Sequence, residues 1–180
     1  MVTEPYADAI RLALTAPIEK GQVDFLINRP SEGVHTQVDE LYFDVEKGII
    51  GDRWSETAWL KLLDGRSDPR VQVSLTNTSV IRCFTGESGE GVFRCGDNVY
   101  TNLNLSERAL PIGAHLQIGE AVIEVSDVLN DACGKFSQRF GKEAFACVRS
   151  EENASLRLRG LFAKIVQSGS VRIDDQLVLI

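Results

Sequence analysis

The sequence predicts a mainly β protein, a barrel-like fold with a few short helices. From Gln22 onward it consists of short runs of alternating apolar and polar residues separated by Gly, Pro, Asn and Asp, the pattern of β-strands joined by turns. Few helix-like segments lie between these runs. A closed or nearly closed barrel would remove the exposed edges that so many short strands would otherwise leave.

The composition is that of an ordinary globular chain, with 43% hydrophobic and 25% charged residues. The length of 180 residues, without repeat or linker, favours one domain over residues 1–180, in which an N-terminal helix and strands of about 1–47 are integrated with 48–180. The net charge of −7 argues against a nucleic-acid surface, which needs clustered Lys and Arg, but leaves a local basic pocket open.

Targeting and membrane signals are absent from the sequence. The first residues lack a basic segment followed by a continuous apolar core, so they do not have the pattern of a secretory signal. No run approaches the ~18 apolar residues of a membrane-spanning helix. We therefore expect a cytoplasmic protein without membrane contact.

The first third of the chain is predicted to begin with a helix and continue with strands. Residues 6–13 carry apolar side chains at helical spacing, and VDFLINRP and VDELYFDVEKG alternate as strands do. Asp52 and Arg53 follow in the turn GIIGDRW, where they line a pocket or, as we favour because Gly-Asp pairs are common in turns, have a structural role. The segment SETAWLKLLDGRSDPR is polar and turn-rich after Leu63, a composition that predicts a mobile surface loop.

The remaining segments extend the same pattern. VQVSL predicts a strand and TNTSVIRCFTG a helix capped by Asn77 or Thr78. GESGEGVFRCG is a glycine-rich connection, but it lacks the Lys-Ser/Thr ending of a nucleotide-binding P-loop. AHLQIG and AVIEVSDVL predict a hairpin that turns at residues 119–120. KEAFACVRSEEN resembles a helix, and LRLRGLFAKIVQSGSVRIDDQLVLI predicts strands around a Ser-Gly-Ser turn.

Cys133 is the candidate reactive residue. It precedes Gly134 and Lys135, and Arg139 follows shortly after. Neighbouring cations and a helix that begins in KFSQRF would both favour the thiolate, the form of cysteine that acts as nucleophile or soft-metal ligand. The alternative is a buried structural cysteine, which is common for this residue type.

The other cysteines do not suggest a metal or disulfide framework. The four cysteines are irregularly spaced, none forms a CxxC pair, and His35 and His115 do not supply closely spaced ligands for zinc. Disulfides are also rare in cytosolic chains. Four reduced thiols are the expected state.

Several segments in order resemble a known family. They are GIIGDRW, CGDNVYTNLNLSERALPIGAHLQIGEAVIEVS, ACGKFSQRFG and LRLRGLFAKIVQSGSVRIDDQLV. Together they resemble a MOSC domain, the module at the C-terminal end of molybdenum cofactor sulfurases that also occurs in stand-alone bacterial proteins. The resemblance covers about residues 48–180.

The resemblance implies a site for the molybdenum cofactor, a molybdopterin. The cysteine matching Cys133 is proposed in the family to bear a sulfur for transfer or to bind molybdenum directly, and a soft thiolate suits that metal. The family's Gly-Asp/Glu-Asn turn matches Gly96, Asp97 and Asn98, and its Leu-Arg-Gly motif matches Leu158, Arg159 and Gly160. The candidate cofactor-binding residues are therefore Lys135, Arg139, Arg157, Arg159, Asp97 and Asn98.

The basic candidates are expected to bind the phosphate of the cofactor, since a guanidinium fork matches its geometry. If Arg157 and Arg159 lie in a strand, their i, i+2 spacing puts them on one face and within reach of one phosphate. The two arginines could instead lie on opposite faces or on one solvated strand face.

The sequence also departs from the family pattern. Asn130, Asp131 and Ala132 precede the cysteine where relatives often have His or Pro, which removes a candidate proton donor. Asp131 would raise the thiol pKa if it lies close. Trp54 stands where many relatives carry histidine, so no role of that histidine transfers to this chain.

Three functional hypotheses follow. The leading one is a protein that binds molybdenum cofactor through Cys133 and reduces N-hydroxylated compounds with an external reductase. The second is a non-catalytic carrier of sulfur, as a Cys133 persulfide, or of the cofactor, with a cysteine desulfurase as partner. The third is a barrel-shaped interaction module in which Cys133 is structural. Pyridoxal phosphate is expected only on a partner, because the chain has no room for a desulfurase domain.

Overall fold

The structure, a computed structural model, describes residues 6–86 and 89–180 and confirms the mainly β fold. The strands in these two ranges are β1 Lys20–Asn28, β2 Thr36–Val38, β3 Glu40–Asp44, β4 Gly48–Ile49, β5 Val73–Asn77, β6 Val99–Thr101, β7 His115–Ile118, β8 Ala121–Val125, β9 Leu161–Gln167, β10 Gly169–Arg172 and β11 Gln176–Leu179. The helices there are α1 Ala7–Thr15, α2 Trp54–Thr57, α3 Thr78–Thr85, α4 Gly89–Phe93, α5 Gly134–Phe140 and α6 Lys142–Arg149, with 3₁₀ turns at Pro69–Val71 and Ala154–Leu156.

Seven strands close into a barrel. Their order is β11-β7-β8-β9-β5-β6-β1, and β1 then pairs with β11 to complete the ring. All these pairs are antiparallel except β5 with β6, which is parallel. The predicted barrel is thus present, and its closure leaves the ring without a free edge.

The first strand, β1, pairs with three other strands. Residues 20–22 of β1 pair with β11, residues 23–26 with β6, and residues 26–28 with β2. The pairing of β1 with β6 has a register shift between Val23 and Phe25. A separate small sheet has the order β10-β3-β4, so strands from the first 47 residues take part in both sheets.

The buried apolar side chains of the described residues form two clusters. The strands contribute one, in which residues that alternate along β8, namely Ala121, Ile123 and Val125, are fully or almost fully buried. The other joins the helices to the outside of β1 and β6 through Ile27 and Tyr100. A fully buried aliphatic or aromatic side chain contributes about 1.5–3 kcal/mol, so both clusters fix the elements that carry the site.

Several local predictions are confirmed. Asn77 caps α3, since its side-chain oxygen accepts hydrogen bonds from the backbone N–H groups of Ser79 and Val80. The hairpin of β7 and β8 turns at residues 119–120. The helix after Cys133 is α5, and KEAFACVRSEEN contains α6.

Other boundaries differ from prediction. VDELYFDVEKG is not one strand: its first residue ends β2, and β3 then lies in the small sheet. The predicted strand at residues 156–160 is wrong, because a 3₁₀ turn occupies 154–156 and β9 begins only at Leu161. The glycine-rich connection contains α4, and its residues 87–88, like residues 1–5 before the N-terminal helix, lie outside the described ranges.

The helices can be compared with the thickness of a lipid bilayer. Within residues 6–86 and 89–180, none is both long and apolar enough to cross one.

Candidate functional site

A cavity of about 630 Å³ opens beside α5. Its lining comes from four parts of the chain that are distant in sequence: residues 29–35, 53–59, 94–97 and 129–140, with further side chains from β5 and β9. Six cationic side chains line it: Arg29, Arg53, Arg94, Lys135, Arg139 and Arg159. Only three acidic ones do, Glu32, Asp97 and Asp131, so the cavity wall is cationic although the chain carries a net charge of −7.

Cys133 lines this cavity and is exposed. It is the N-cap residue of α5, in extended conformation, and its backbone carbonyl accepts hydrogen bonds from Phe136 and Ser137. The preceding Ala132 has a φ of 66°, in the left-handed region. The structural alternative predicted a buried cysteine; instead the thiol lies where a ligand in the cavity can reach it.

Lys135 and Arg139 lie on the same helix and also line the cavity. Lys135 forms an ion pair with Glu32 across the cavity opening, and this contact lowers the pKa of the Glu32 carboxyl. Arg139 donates a hydrogen bond to the backbone carbonyl of Arg94 at 2.6 Å. Both cations of α5 are therefore near the thiol, and one of them already has an acidic partner.

Asp97 and Arg159 form an ion pair on the buried side of the cavity. Arg159 Nη1 lies 2.5 Å from Asp97 Oδ2, and its Nη2 donates to the carbonyl of Cys95 at 2.9 Å. Burial alone would lower the pKa of Arg159, but the charge of Asp97 raises it, so the guanidinium stays protonated. The other oxygen, Asp97 Oδ1, is buried and has no hydrogen-bond partner among the described residues.

Gly160 explains how Arg159 reaches this position. Its φ is 103°, and a Cβ atom there would lie 2.0 Å from the carbonyl oxygen of Leu75 on β5. Only glycine allows the turn to approach β5 this closely.

Arg157 does not line the cavity. It adopts a left-handed conformation, with a φ of 49°, so it does not share a strand face with Arg159 as predicted. Its Nη1 donates to the carbonyls of Leu110 at 2.7 Å and Leu105 at 3.3 Å. Burial lowers the pKa of Arg157. The side chain connects two backbone segments outside the site.

Asn98 lies behind the cavity wall and does not line it. Its Nδ2 donates to Asp52 Oδ2 at 3.0 Å, and its Oδ1 accepts from the backbone N–H of Ser74 at 3.2 Å. Asp52 in turn receives Arg29 Nε at 2.7 Å and Nη2 at 3.0 Å. Asn98 therefore positions the carboxylate that holds Arg29 at the cavity.

The sequence analysis did not identify Arg29. For the turn at Asp52 and Arg53, the favoured structural role applies to only one of the two residues. Asp52 has the structural role that was favoured, because it also accepts a hydrogen bond from the backbone N–H of Trp54 at 2.9 Å. Arg53, by contrast, lines the cavity. Arg29 stands at the end of a strand before Pro30, and nothing local to that position distinguishes it from a surface arginine.

His35 and Cys95 are two further lining residues that the sequence did not indicate. Burial, reinforced by the charges of Arg139, Arg29 and Arg53, lowers the pKa of His35 and keeps it neutral near pH 7. Burial raises the pKa of the Cys95 thiol to about 12. Cys95 is thus a protonated thiol, whereas the exposed Cys133 is the better candidate nucleophile or ligand.

Asp131, which precedes Cys133 by two residues, forms an ion pair with a neighbouring helix. Its carboxylate lies 3.0 Å from Arg149 on α6. The carboxylate two residues before the thiol therefore has a cationic partner.

The arrangement can bind an anion next to a soft metal ligand. Among the described residues, no three His, Cys, Asp or Glu side chains come together as a metal site, so a metal bound at Cys133 would need to bring other ligands with it. The cationic wall would suit a phosphate. The unpartnered Asp97 oxygen would accept a hydrogen bond from an N–H group.

These features define a β-barrel protein with a cationic cavity and an accessible thiol at its side. A family model for the MOSC domain matches residues 65–178, and the chain therefore belongs to the MOSC domain family. A comparison with curated protein sequences found no significant match.

Solved structures share the fold. The YuaD protein from Bacillus subtilis is similar with a TM-score of 0.64 and 18% identity, over 89% of this chain and 95% of that one. YiiM from Escherichia coli gives a TM-score of 0.57 and 21% identity, over 88% of this chain and 69% of that one. YiiM from Geobacillus stearothermophilus gives 0.58 and 15%, over 89% and 75%.

Proposed function

We propose that the cavity binds the molybdenum cofactor and that the loaded protein, with an external reductase, reduces N-hydroxylated compounds. The observation that carries the proposal is the exposed Cys133 thiol on a cavity lined by Arg29, Arg53, Lys135 and Arg139. Membership of the MOSC family supports the same cofactor.

The residues present fit the chemical groups of that cofactor. The Cys133 thiolate would be the protein ligand of molybdenum, a metal that the cofactor already surrounds with dithiolene sulfurs. Arg53, Lys135 and Arg139 would bind the phosphate. Asp97 Oδ1, which is buried without a partner, would accept a hydrogen bond from the N–H edge of the pterin.

Arg159 and Asn98 support the site in a different way. Arg159 donates to Asp97 and to the backbone carbonyl of Cys95, and so fixes the carboxylate that would face the pterin. Asn98 fixes Asp52 and, through it, Arg29. Arg157 lies outside the cavity and has no part in the proposal. When bound, the cofactor supplies two-electron redox chemistry, while the protein binds and orients it and restricts the access of water.

The first experiment measures cofactor content. Full-length protein from a host that makes the cofactor is analysed for molybdenum by elemental mass spectrometry and for oxidised pterin by fluorescence. We expect stoichiometric metal and pterin in wild type and loss of molybdenum in Cys133→Ala. The matched control is Cys83→Ala, a cysteine on α3 away from the cavity, which should keep both. Well-folded wild-type protein without metal or pterin would refute the proposal.

The exposure of Cys133 favours one second candidate, a sulfur carrier. The Cys133 thiolate would attack the outer sulfur of a persulfide on a cysteine desulfurase, which breaks the sulfur–sulfur bond there, forms the Cys133 persulfide and releases the desulfurase thiolate. An exposed position would let that partner reach the thiol. Wild-type protein that releases thiocyanate on treatment with cyanide, and lacks pterin, would support the carrier over the cofactor-binding protein.

A further inference from the structure

The cavity has an apolar wall as well as cationic ones. Trp59, Leu129 and Phe162 line it together with Val71. Trp59 and Leu129 are 66% and 65% exposed, although both are large apolar side chains. Such a wall inside a cavity marks a place where a ligand can cover apolar surface.

The wall is held in place by the fold. Phe162 lies on β9, and its backbone carbonyl accepts a hydrogen bond from Ser126 at 3.0 Å, where the segment that leads to Leu129 and Cys133 begins. Trp59 follows α2, and its ring centroid lies 5.9 Å from that of Phe162 at an angle of 49°. The aromatic wall and the thiol are therefore connected through one short segment of chain.

The chemistry of the wall favours a neutral ligand. The side chains of Trp59, Leu129 and Phe162 carry no charge, and the nearby Asp131 is paired with Arg149. Next to Leu129, the Nδ2 atom of Asn130 is buried and has no hydrogen-bond partner among the described residues, although Asn130 lines the cavity. A ligand here would present a flat ring to Trp59 and an oxygen acceptor to Asn130.

We propose that Trp59, Phe162, Leu129 and Asn130 form a subsite for a neutral, planar aromatic substrate that carries an oxygen acceptor. The role of this ring as substrate rests on the proposed function, in which Cys133 holds the reacting metal. The cofactor's own ring is the competing occupant. The cofactor's ring would bind better at Asp97, where the unpartnered carboxylate oxygen matches its N–H edge.

The subsite can be tested with quinoline N-oxide, a neutral flat ring with an acceptor oxygen. Full-length ¹⁵N-labelled protein has two tryptophan indole signals, from Trp54 and Trp59. We expect the Trp59 signal to shift saturably. Calorimetry should show that Trp59→Leu weakens binding about tenfold, the loss of one aromatic contact of this kind, and that Trp59→Phe weakens it less. Quinoline without the oxygen should bind more weakly to wild type.

Leu63→Ala is the matched control, because Leu63 is a fully exposed apolar residue of the same loop that does not line the cavity. It should bind the probe as wild type does. Unsaturable shifts, equal binding in Trp59→Leu, or tighter binding of the cation N-methylquinolinium would each overturn the subsite.

Cofactor content separates this inference from the proposed function. If Trp59→Leu loses pterin as well as probe, the wall holds the cofactor and the substrate assignment is wrong. If wild type lacks pterin but binds the probe through Trp59, the binding site for an aromatic ring is supported and only the proposed function is refuted.

Discussion

Asp97 and Arg159 form an ion pair on the buried side of the cavity, and Glu32 and Lys135 form one on its exposed side. The buried pair has side chains only 1% and 10% exposed and adds a hydrogen bond to a carbonyl. The exposed pair has side chains 71% and 56% exposed, and water screens it. The first pair is part of the architecture, whereas the second can exchange its partner for a ligand.

The largest effect is expected at the buried pair. Asp97→Ala leaves the Arg159 guanidinium buried without its carboxylate, which should cost about 3–5 kcal/mol of unfolding free energy. Urea unfolding followed by circular dichroism measures the loss. Glu32→Ala, the control from the exposed pair, should leave the urea midpoint unchanged. If both variants unfold at the same urea concentration, the contrast between the two sides is wrong.

The second-largest loss of stability is expected at Asn98, which lies behind the cavity wall. Asn98→Ala leaves the N–H of Ser74 without its side-chain acceptor and removes one donor to Asp52, which should cost about 2 kcal/mol. Asn102→Ala is the matched control, since its hydrogen bond to the N–H of Gln22 is exposed and should matter less. A stable Asn98→Ala protein that loses cofactor would instead place Asn98 in direct contact with the ligand.

On the exposed side the expected effects concern ligand binding and not stability. Lys135→Ala should weaken binding of inorganic phosphate about fivefold, the roughly 1 kcal/mol between unit charges 4 Å apart in water. Glu32→Gln should strengthen it, because Lys135 is then released from its partner. Calorimetry at low and high salt checks both, with Lys142→Ala on α6 as the control cation outside the cavity. Equal affinities in all variants would contradict an exchangeable pair.

The smallest effect is a pH dependence from His35. Its pKa is lowered in the folded protein by burial and by neighbouring cations. Such a group contributes stability above its unfolded pKa of about 6.5 and loses it as the pH falls. Between about pH 7.5 and pH 5.5, wild type should therefore lose more unfolding free energy than His35→Asn. Parallel pH profiles of the two proteins would show that His35 is not buried against the cations.

The sequence predicted those parts of the site that depend on local order. Cys133, Lys135 and Arg139 are close along one helix, and alternation along the chain sufficed to predict a barrel. Arg29 was not identified, and the structural role was favoured for Arg53, because strand pairing and no local pattern brings these two arginines to the cavity. Arg29 directly follows β1, which pairs with β6, far away in sequence. The backbone N–H of Arg53 in turn donates to the carbonyl of Arg29 at 2.9 Å.

Arg157 shows the opposite error. Two arginines at i and i+2 predict a shared face only if the backbone is extended. The left-handed φ of Arg157 and the close approach at Gly160 rotate the two side chains apart, so that only Arg159 reaches the cavity. The backbone conformation at Arg157 and Gly160, which the side-chain pattern does not specify, determined which of the two arginines lines the cavity.

The pairing of β1 with β11 has a consequence for synthesis of the chain. Because residues 20–22 pair with residues 176–178, the ring cannot close until residues 176–178 have left the ribosome. Until then, β1 has an unpaired edge that other nascent chains can bind. Contacts of such long sequence separation slow folding. The barrel that carries the cavity is therefore completed only when β11, the last of its seven strands along the chain, has been made. A chaperone that shields β1 should raise the yield of native protein.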